Sequence, residues 1–498
     1  RLLKEWGWEV EVFLYGEPEK LPPDARVNYE RWLGMGEVRG WDAEAIAGVQ
    51  AILFVDAVFG TGLARPLPPE IAKPLSLLST RNRSLTRTVS VDVPSGLCAD
   101  SGRFLGSSRL LADLTVTFHR AKVGHHLDFG AQASGVLCRA SIGLPDEHVS
   151  VPATYICDSG YLGLSDVREL RPLRLYVEVD KGAFQRQHKY AHGHALILSG
   201  GAGRGGAARL AARGALRIGA GLVTLGCPPE ALTENAARLD AVMLRPVADA
   251  DALARVLEDR RIKALLLGPG LGTGEREVAL VAAALGVSGA VPPPRSPPHE
   301  GEGSREAPGI ARGDKALSLP LVGREEGRGV RRAIVLDADA LTILSQNPRL
   351  SAALHENCVL TPHAGEFARL FPDIAEKLSQ PATRGPAYSK VDATREAARR
   401  AGCVVLYKGP DTVIADPSGR CSINSAHYDR AAPWLATAGS GDVLAGFIAG
   451  LLARRFAPMQ AAETAAWLHV ECARTFGPGL IAEDLPEQLP AVFRDLGL

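Results

Sequence analysis

The chain has no surplus of charge of either sign: among 498 residues, Lys plus Arg and Asp plus Glu each number 56. That argues against a broad nucleic-acid or anionic-membrane surface and confines any phosphate binding to local sites. The eight cysteines are scattered. With no Cys-x-x-Cys pair and no dense framework, they fit reduced thiols and a cytoplasmic setting rather than a disulfide scaffold. No apolar run reaches the roughly 18 residues that a membrane-spanning helix needs. No internal repeat is visible. His188, His192 and His194 stand close together, but their spacing fits no standard zinc pattern and no cysteine is near them. A Met start is also lacking. The chain opens on Arg1 within "RLLKEWG", which reads as the end of a helix. The expectation is a fragment that has lost its start, and with it any targeting signal.

What is present is ordinary globular material, 46% hydrophobic and 22% charged, long enough for two or three domains. The first half alternates short apolar strands with helical stretches: "WEVEVFLYG", "AILFVDAVFG", "VSVDVPSG" and "LTVTFHRA". Such alternation predicts a parallel, doubly wound sheet with ligands at the carboxyl ends of its strands. Asp56 and Asp92 sit at those ends. The pattern weakens towards 190, where a charged, irregular stretch reads as a connection. It resumes with "HALILSGG", "LVTLG", "ALLLGPG", "AIVLDAD", "CVLTPH" and "CVVLYKG", the strands of a second α/β domain. Residues 287–330, rich in Pro, Gly and charge, read as a disordered surface insert.

The segment "ATAGSGDVLAGFIAGLL", 436–452, places small residues directly before an aspartate and a buried-looking helix. The first turn of a helix carries unpaired N–H groups and partial positive charge. With Gly439, Ser440 and Gly441 in front, it would form an anion cradle. Asp442 would repel a phosphate there unless it serves as a base beside a transferring phosphoryl group. The alternative is an aspartate that only caps a buried helix. Other polar loops follow strands in the same half, with Asp337, Asp339, His363, Glu366, Lys408 and Thr412. Asp337 as a helix cap and His363 as a satisfied loop histidine are the plain readings of those two.

Together, "HKYAHGHALILSGG", "GAGLVTLG", "GPGLG", "DADAL", "TPHAGE", "KGPDTV" and "GSGDVLAG" resemble the ADP/ATP-dependent NAD(P)H-hydrate dehydratases, a family with a ribokinase-like α/β fold. The resemblance runs through 189–498 apart from the insert. It implies removal of water from NADH or NADPH hydrated on the nicotinamide ring, coupled to ADP hydrolysis, with Mg²⁺ carried largely by the nucleotide. It implies Asp442 as catalytic base facing the hydrate, and Ala207, Gly272 and His363 as hydrate contacts. Lys408, Gly409, Pro410, Asp411, Thr412 and Gly441 would hold the nucleotide. Relatives often carry Ala-Gly where this chain has Pro410 and Asp411.

Residues 1–165, joined through a linker at 166–188, resemble the NAD(P)H-hydrate epimerase domain, a Rossmann-like doubly wound fold. The matching stretches are "GWEVEVFLYG", "VDAVFGTGLARPL", "VDVPSGLCADSG" and "LTVTFHRAKVGHH". This resemblance implies a substrate phosphate loop at Gly60, Thr61, Gly62, Leu63 and Ala64, a hydrate contact at Asp92, and a K⁺ site at Asp56 and Ser95. The family's Asn-Asn-Gly-Gly-Asp-Gly loop is not in this chain, so the expectation is a chain without epimerase activity whose full-length parent has it. The expected partners are the hydrated dinucleotides NADHX and NADPHX and ADP, with no nucleic acid and no membrane, and the protein is expected to be a homo-oligomer. The competing reading is a ribokinase-like small-molecule kinase with a non-catalytic binding module in front.

Overall fold

The computed structural model describes residues 1–80, 86–144, 154–156, 181, 188–287 and 331–498. The stretches expected to be linker and insert lie outside them, except Lys181, His188 and Val287. Among the described residues no helix is long and apolar enough to cross a membrane.

The first half contributes two separate parallel sheets. One pairs β1 (Val12–Leu14) with β2 (Val38–Gly40). The other runs in the order β3 (Leu53–Asp56), β4 (Arg87–Val91), β5 (Leu114–Phe118) and β6 (Val136–Ala140), all parallel. β1, β3, β4 and β5 fall in the four stretches expected, β2 and β6 are additional, and the strands do not form one continuous sheet, because β1 and β3 are not paired.

The second half is built on a ten-stranded sheet. Its strands are β8 (His194–Leu198), β9 (Leu222–Cys227), β10 (Met243–Pro246), β11 (Ile262–Leu267), β12 (Ala333–Leu336), β13 (Cys358–Leu360), β14 (Val404–Tyr407), β15 (Asp411–Ala415) and β16 (Cys421–Ser425). A tenth strand comes from the first half: β7 (Thr154–Ile156) lies parallel to β16 at the sheet's edge. The order is β10-β9-β8-β11-β12-β13-β14-β15-β16-β7, with β15 antiparallel to both β14 and β16.

Helices cover both faces of this sheet, so its strands read as continuous apolar runs. Along β8, Ala195 and Ile197 enter one core and Leu196 and Leu198 the other. The helix Ser440–Ala453 is apolar on every side, as a fully enclosed helix must be. It packs against Gly206–Arg217 at backbone distance: a β-carbon on Gly446 would stand 2.2 Å from the carbonyl oxygen of Ala211. That contact fixes where the helix begins.

Candidate active site

In the second half, the loops leaving the carboxyl ends of β8, β11, β12, β13 and β14 converge beside the start of Ser440–Ala453. Gly439 caps this helix with φ 88°, a left-handed value that favours glycine. A β-carbon there would also meet Leu210 Cδ1 at 2.8 Å and Ala482 Cβ at 2.9 Å. Ser440 Oγ donates back to the carbonyl of Leu435 at 2.8 Å, and buried His469 lies 2.9 Å from the carbonyl of Ser440 through Nε2.

Asp442 stands in the first turn without capping it. Burial, then the charges of Asp337, Asp339 and Glu366, push its carboxyl up to about 6, against the pull of Lys408. Lys408 Nζ donates to Asp337 Oδ1 at 2.8 Å and lies 3.6 Å from Glu366 Oε2. Burial opposes its charge, but Asp337 and Glu366 more than offset this and keep it an ammonium. The same Nζ stands 3.5 Å from where a Gly441 β-carbon would be. Lys408, Gly441 and Asp442 therefore share one small volume.

Asp337 occupies the cap position of the helix Ala338–Gln346, but its carboxylate serves Lys408 instead of that helix. His363 does cap: Nδ1 accepts Gly365 N–H at 3.0 Å, while Glu366 Oε2 accepts His363 N–H at 2.7 Å. Its Nε2 lies 3.4 Å from Glu366 Oε1, and the side chain as a whole is exposed. Asp339 Oδ2 accepts the N–H of Gly272 at 2.8 Å, tying "GPGLG" to the helix Ala338–Gln346. Ala207 Cβ lies 3.5 Å from the β-carbon position of Gly270 in the same loop.

The loop Lys408–Thr412 is closed by its own threonine: Thr412 Oγ1 donates to Gly409 O at 2.7 Å and accepts Gly409 N–H at 3.2 Å. Pro410 O accepts Ala426 N–H at 2.7 Å. Asp411 turns its carboxylate away from Lys408, onto Lys390 and Asp128. An open apolar recess lined by Trp434, Thr437 and Ile481 lies just ahead of Gly439 in the chain. No three His, Cys, Asp or Glu side chains among the described residues are placed to hold a metal ion. His194 is buried with Nε2 on Thr224 Oγ1 at 2.8 Å, and His188 is exposed.

The first half holds a second cluster. Asp56, at the end of β3, is buried. Its Oδ1 accepts Ser95 Oγ at 2.6 Å, and its Oδ2 accepts Ser95 N–H at 2.8 Å and Ser90 Oγ at 3.0 Å. Burial raises its pKa while these hydrogen bonds pull it down. Ser95 Oγ is also 3.3 Å from Phe59 O. Asp92 follows β4 with φ 69°. It pairs with Lys122 and accepts Thr117 Oγ1 at 3.0 Å. Burial works against its charge, but Lys122 holds its carboxyl below the usual range. Gly60 approaches to 3.6 Å from Asp92 Oδ2, measured at its β-carbon position. Thr61 and Gly62 are exposed, Leu63 packs inward, and Ala64 O accepts the N–H of Gly385 from the second half at 3.0 Å.

The structure thus gathers the expected residues into two clusters, one per half. It adds Lys122 and Lys390, which sequence reasoning missed. Both are isolated lysines in polar stretches, and only the fold shows what they touch.

Residues 195–289 and 321–489 match the family model described as NAD(P)H-hydrate dehydratase, and residues 1–124 match that of the YjeF-related protein N-terminus. A bifunctional NAD(P)H-hydrate repair enzyme of Moorella thermoacetica is 34% identical over all of this chain and 84% of its own length. The one from Gloeobacter violaceus is 32% identical over 93% of this chain and 78% of its own. Among solved structures, a ribokinase-like superfamily protein from Enterococcus faecalis shares the fold, at TM-score 0.50 and 19% identity over 70% of this chain and 99% of its own. On these matches, the chain belongs to the family of bifunctional NAD(P)H-hydrate repair enzymes.

Proposed function

We propose that the second half dehydrates the S form of NADHX and NADPHX with hydrolysis of ADP to AMP and phosphate. The first half carries the framework that interconverts the R and S forms. The observation that carries this reading is Asp442, held with a carboxyl near neutrality at the mouth of a glycine-flanked helix start, beside Lys408. A ring hydroxyl is a poor leaving group. With Asp442 as base, that hydroxyl loses its proton and its oxygen attacks the terminal phosphoryl group of the nucleotide. The oxygen then departs as phosphate, and loss of a ring proton restores the double bond. Lys408 and the N–H of Gly441 at the helix start would hold the phosphates, and Ala207, Gly272 and His363 would line the hydrate.

The surplus of carboxylates around Lys408 calls for a cation beside incoming phosphates. Among the described residues no three His, Cys, Asp or Glu side chains form a cage for one, and Mg²⁺ would arrive on the nucleotide. In the first half, Asp56, Ser95 Oγ and Phe59 O form a hard oxygen set that fits K⁺. There the ion would neutralise a buried carboxylate and steady the loop from Gly60 to Ala64 against the substrate phosphate. The kinase reading is not favoured, because the relatives named above match both halves at once.

The test incubates chemically hydrated NADH with the chain, Mg²⁺ and ADP or ATP. Recovery of reduced-nicotinamide absorbance with stoichiometric phosphate release is expected. A stable phosphorylated product without that recovery would overturn the reading.

A further inference from the structure

Beneath the nucleotide loop lies an ion pair that the proposed chemistry does not use. Lys390 Nζ is 2.6 Å from Asp411 Oδ1, and the two side chains are only 12% and 13% exposed. Lys390 Nζ also donates to the carbonyl of Lys408 at 3.3 Å and stands 4.4 Å over the ring of Tyr407. A β-carbon on Gly409 would be 2.7 Å from Lys390 Nζ and 2.8 Å from Asp411 Oδ1, so bare backbone rests on the pair. Lys390 opens the helix Lys390–Ala401, where a cation opposes the helix dipole. Its placement is compensated by Asp411, not by its own helix.

The other oxygen of Asp411 reaches across the molecule. Oδ2 accepts the backbone N–H of Asp128, in the first half, at 3.1 Å. Asp128 is itself firmly seated. Its neighbour Leu127 is fully buried in the second half's core. His126 Nδ1 lies 2.9 Å from Ser425 Oγ, and Tyr428 donates to the carbonyl of His125 at 2.7 Å. Arg103 stands 3.7 Å from the Asp128 carboxylate.

We propose that Lys390, Asp411 and the backbone of Asp128 form a strut that sets the position of the loop Lys408–Thr412, so that the first half acts as a positioning element for nucleotide binding in the second. This rests on the reading of that loop as the nucleotide site. Both oxygens of Asp411 are engaged beneath the loop, Oδ1 with Lys390 and Oδ2 with Asp128 N–H. A loop fixed in advance binds without an ordering penalty, whereas a loop freed of its strut must be ordered by the ligand. The strut therefore acts on nucleotide affinity and leaves the Asp442 step alone.

The experiment titrates ADP and ATP, each with Mg²⁺, into the full chain by calorimetry and follows dehydration at saturating nucleotide. Removing one partner would strand a buried charge and destabilise the protein. The informative variant is therefore the double substitution Lys390→Met, Asp411→Leu. It should bind nucleotide about tenfold or more weakly, at a melting temperature near that of the parent. Asp411→Asn keeps an acceptor for Asp128 N–H and should recover part of the affinity. Tyr428→Phe, which loosens the 125–128 segment, should weaken binding in the same direction. Unchanged affinity in the double variant overturns the strut. Unchanged affinity in Tyr428→Phe alone overturns the part assigned to the first half. A parent chain that binds neither nucleotide overturns the nucleotide reading itself, which is a separate outcome.

Discussion

The carboxyl of Asp442 sits among Asp337, Asp339 and Glu366, and burial first, then those charges, push it up to about 6 from 3.8. Because the folded-state value exceeds the unfolded one, the fold favours the protonated form. Stability from this group is present below about 4 and is lost as pH rises through about 6. Asp442→Asn should therefore do two opposite things. It should cut dehydration by about a hundredfold or more, while raising stability at neutral pH by up to about 3 kcal/mol. Thermal melting at pH 7.5 and at pH 4 measures the second effect, and the gain should vanish at the lower pH. The parent's kcat should rise with pH through about 6 and then level. Asp92 has the reverse sign, because Lys122 depresses its carboxyl despite burial. Its contribution is present above about 4 and is lost as pH falls through the lower folded value. Lys122→Met should lower the melting temperature at pH 7, and the gap should narrow steadily as pH falls below about 4. A gap that stays constant with pH would mean that Lys122 contributes packing rather than charge.

At the level of elements, Gly446 gives a test with an unusual sign. Glycine inside a helix is disfavoured against alanine by about 1 kcal/mol, so Gly446→Ala would stabilise an exposed helix. Here the added methyl meets the backbone of Ala211, and overpacking of this kind costs about 1–3 kcal/mol. Denaturant unfolding should show a net loss, together with weaker nucleotide binding because the start of Ser440–Ala453 shifts. The parallel strands were legible in the sequence because two-sided burial makes runs such as "ALLL" and "AIVL" continuous and apolar. β16, "CSINS", was not legible. Its serines and asparagine look like loop residues, yet all five positions are buried. Asn424 is satisfied by the carbonyl of Ala466, 42 residues on, and by Arg430, 6 residues on. The glycine and aspartate positions of both clusters could be read because their chemistry is local. Lys390 and Asp128 could not, since their partners lie 21 and 283 residues away.

Across the whole molecule, the seam between halves is lined by histidines kept neutral. Burial, and then Lys122, takes His125 down to about 4; burial, then His125, His427 and Arg430, takes His126 to about 3. Both folded values lie below the unfolded one of 6.5, so stability at the seam is intact above 6.5 and is lost as pH falls towards 4. The slope is about 1.4 kcal/mol per pH unit for each histidine. Limited proteolysis between pH 7 and pH 4.5 should show growing cleavage near residues 120–130 as the seam opens. In His126→Gln this acid sensitivity should be roughly halved.

The strand Thr154–Ile156 gives the architecture a further consequence, for solubility. An uncovered strand edge offers its backbone to any other chain and invites aggregation. β7 comes from the first half but lies along β16, so the larger sheet borrows its edge guard from its neighbour. A truncation that begins at residue 189 would keep the dehydratase motifs and lose that guard. Such a piece should self-associate through β16, whereas one that begins upstream of Thr154 would carry its own protection.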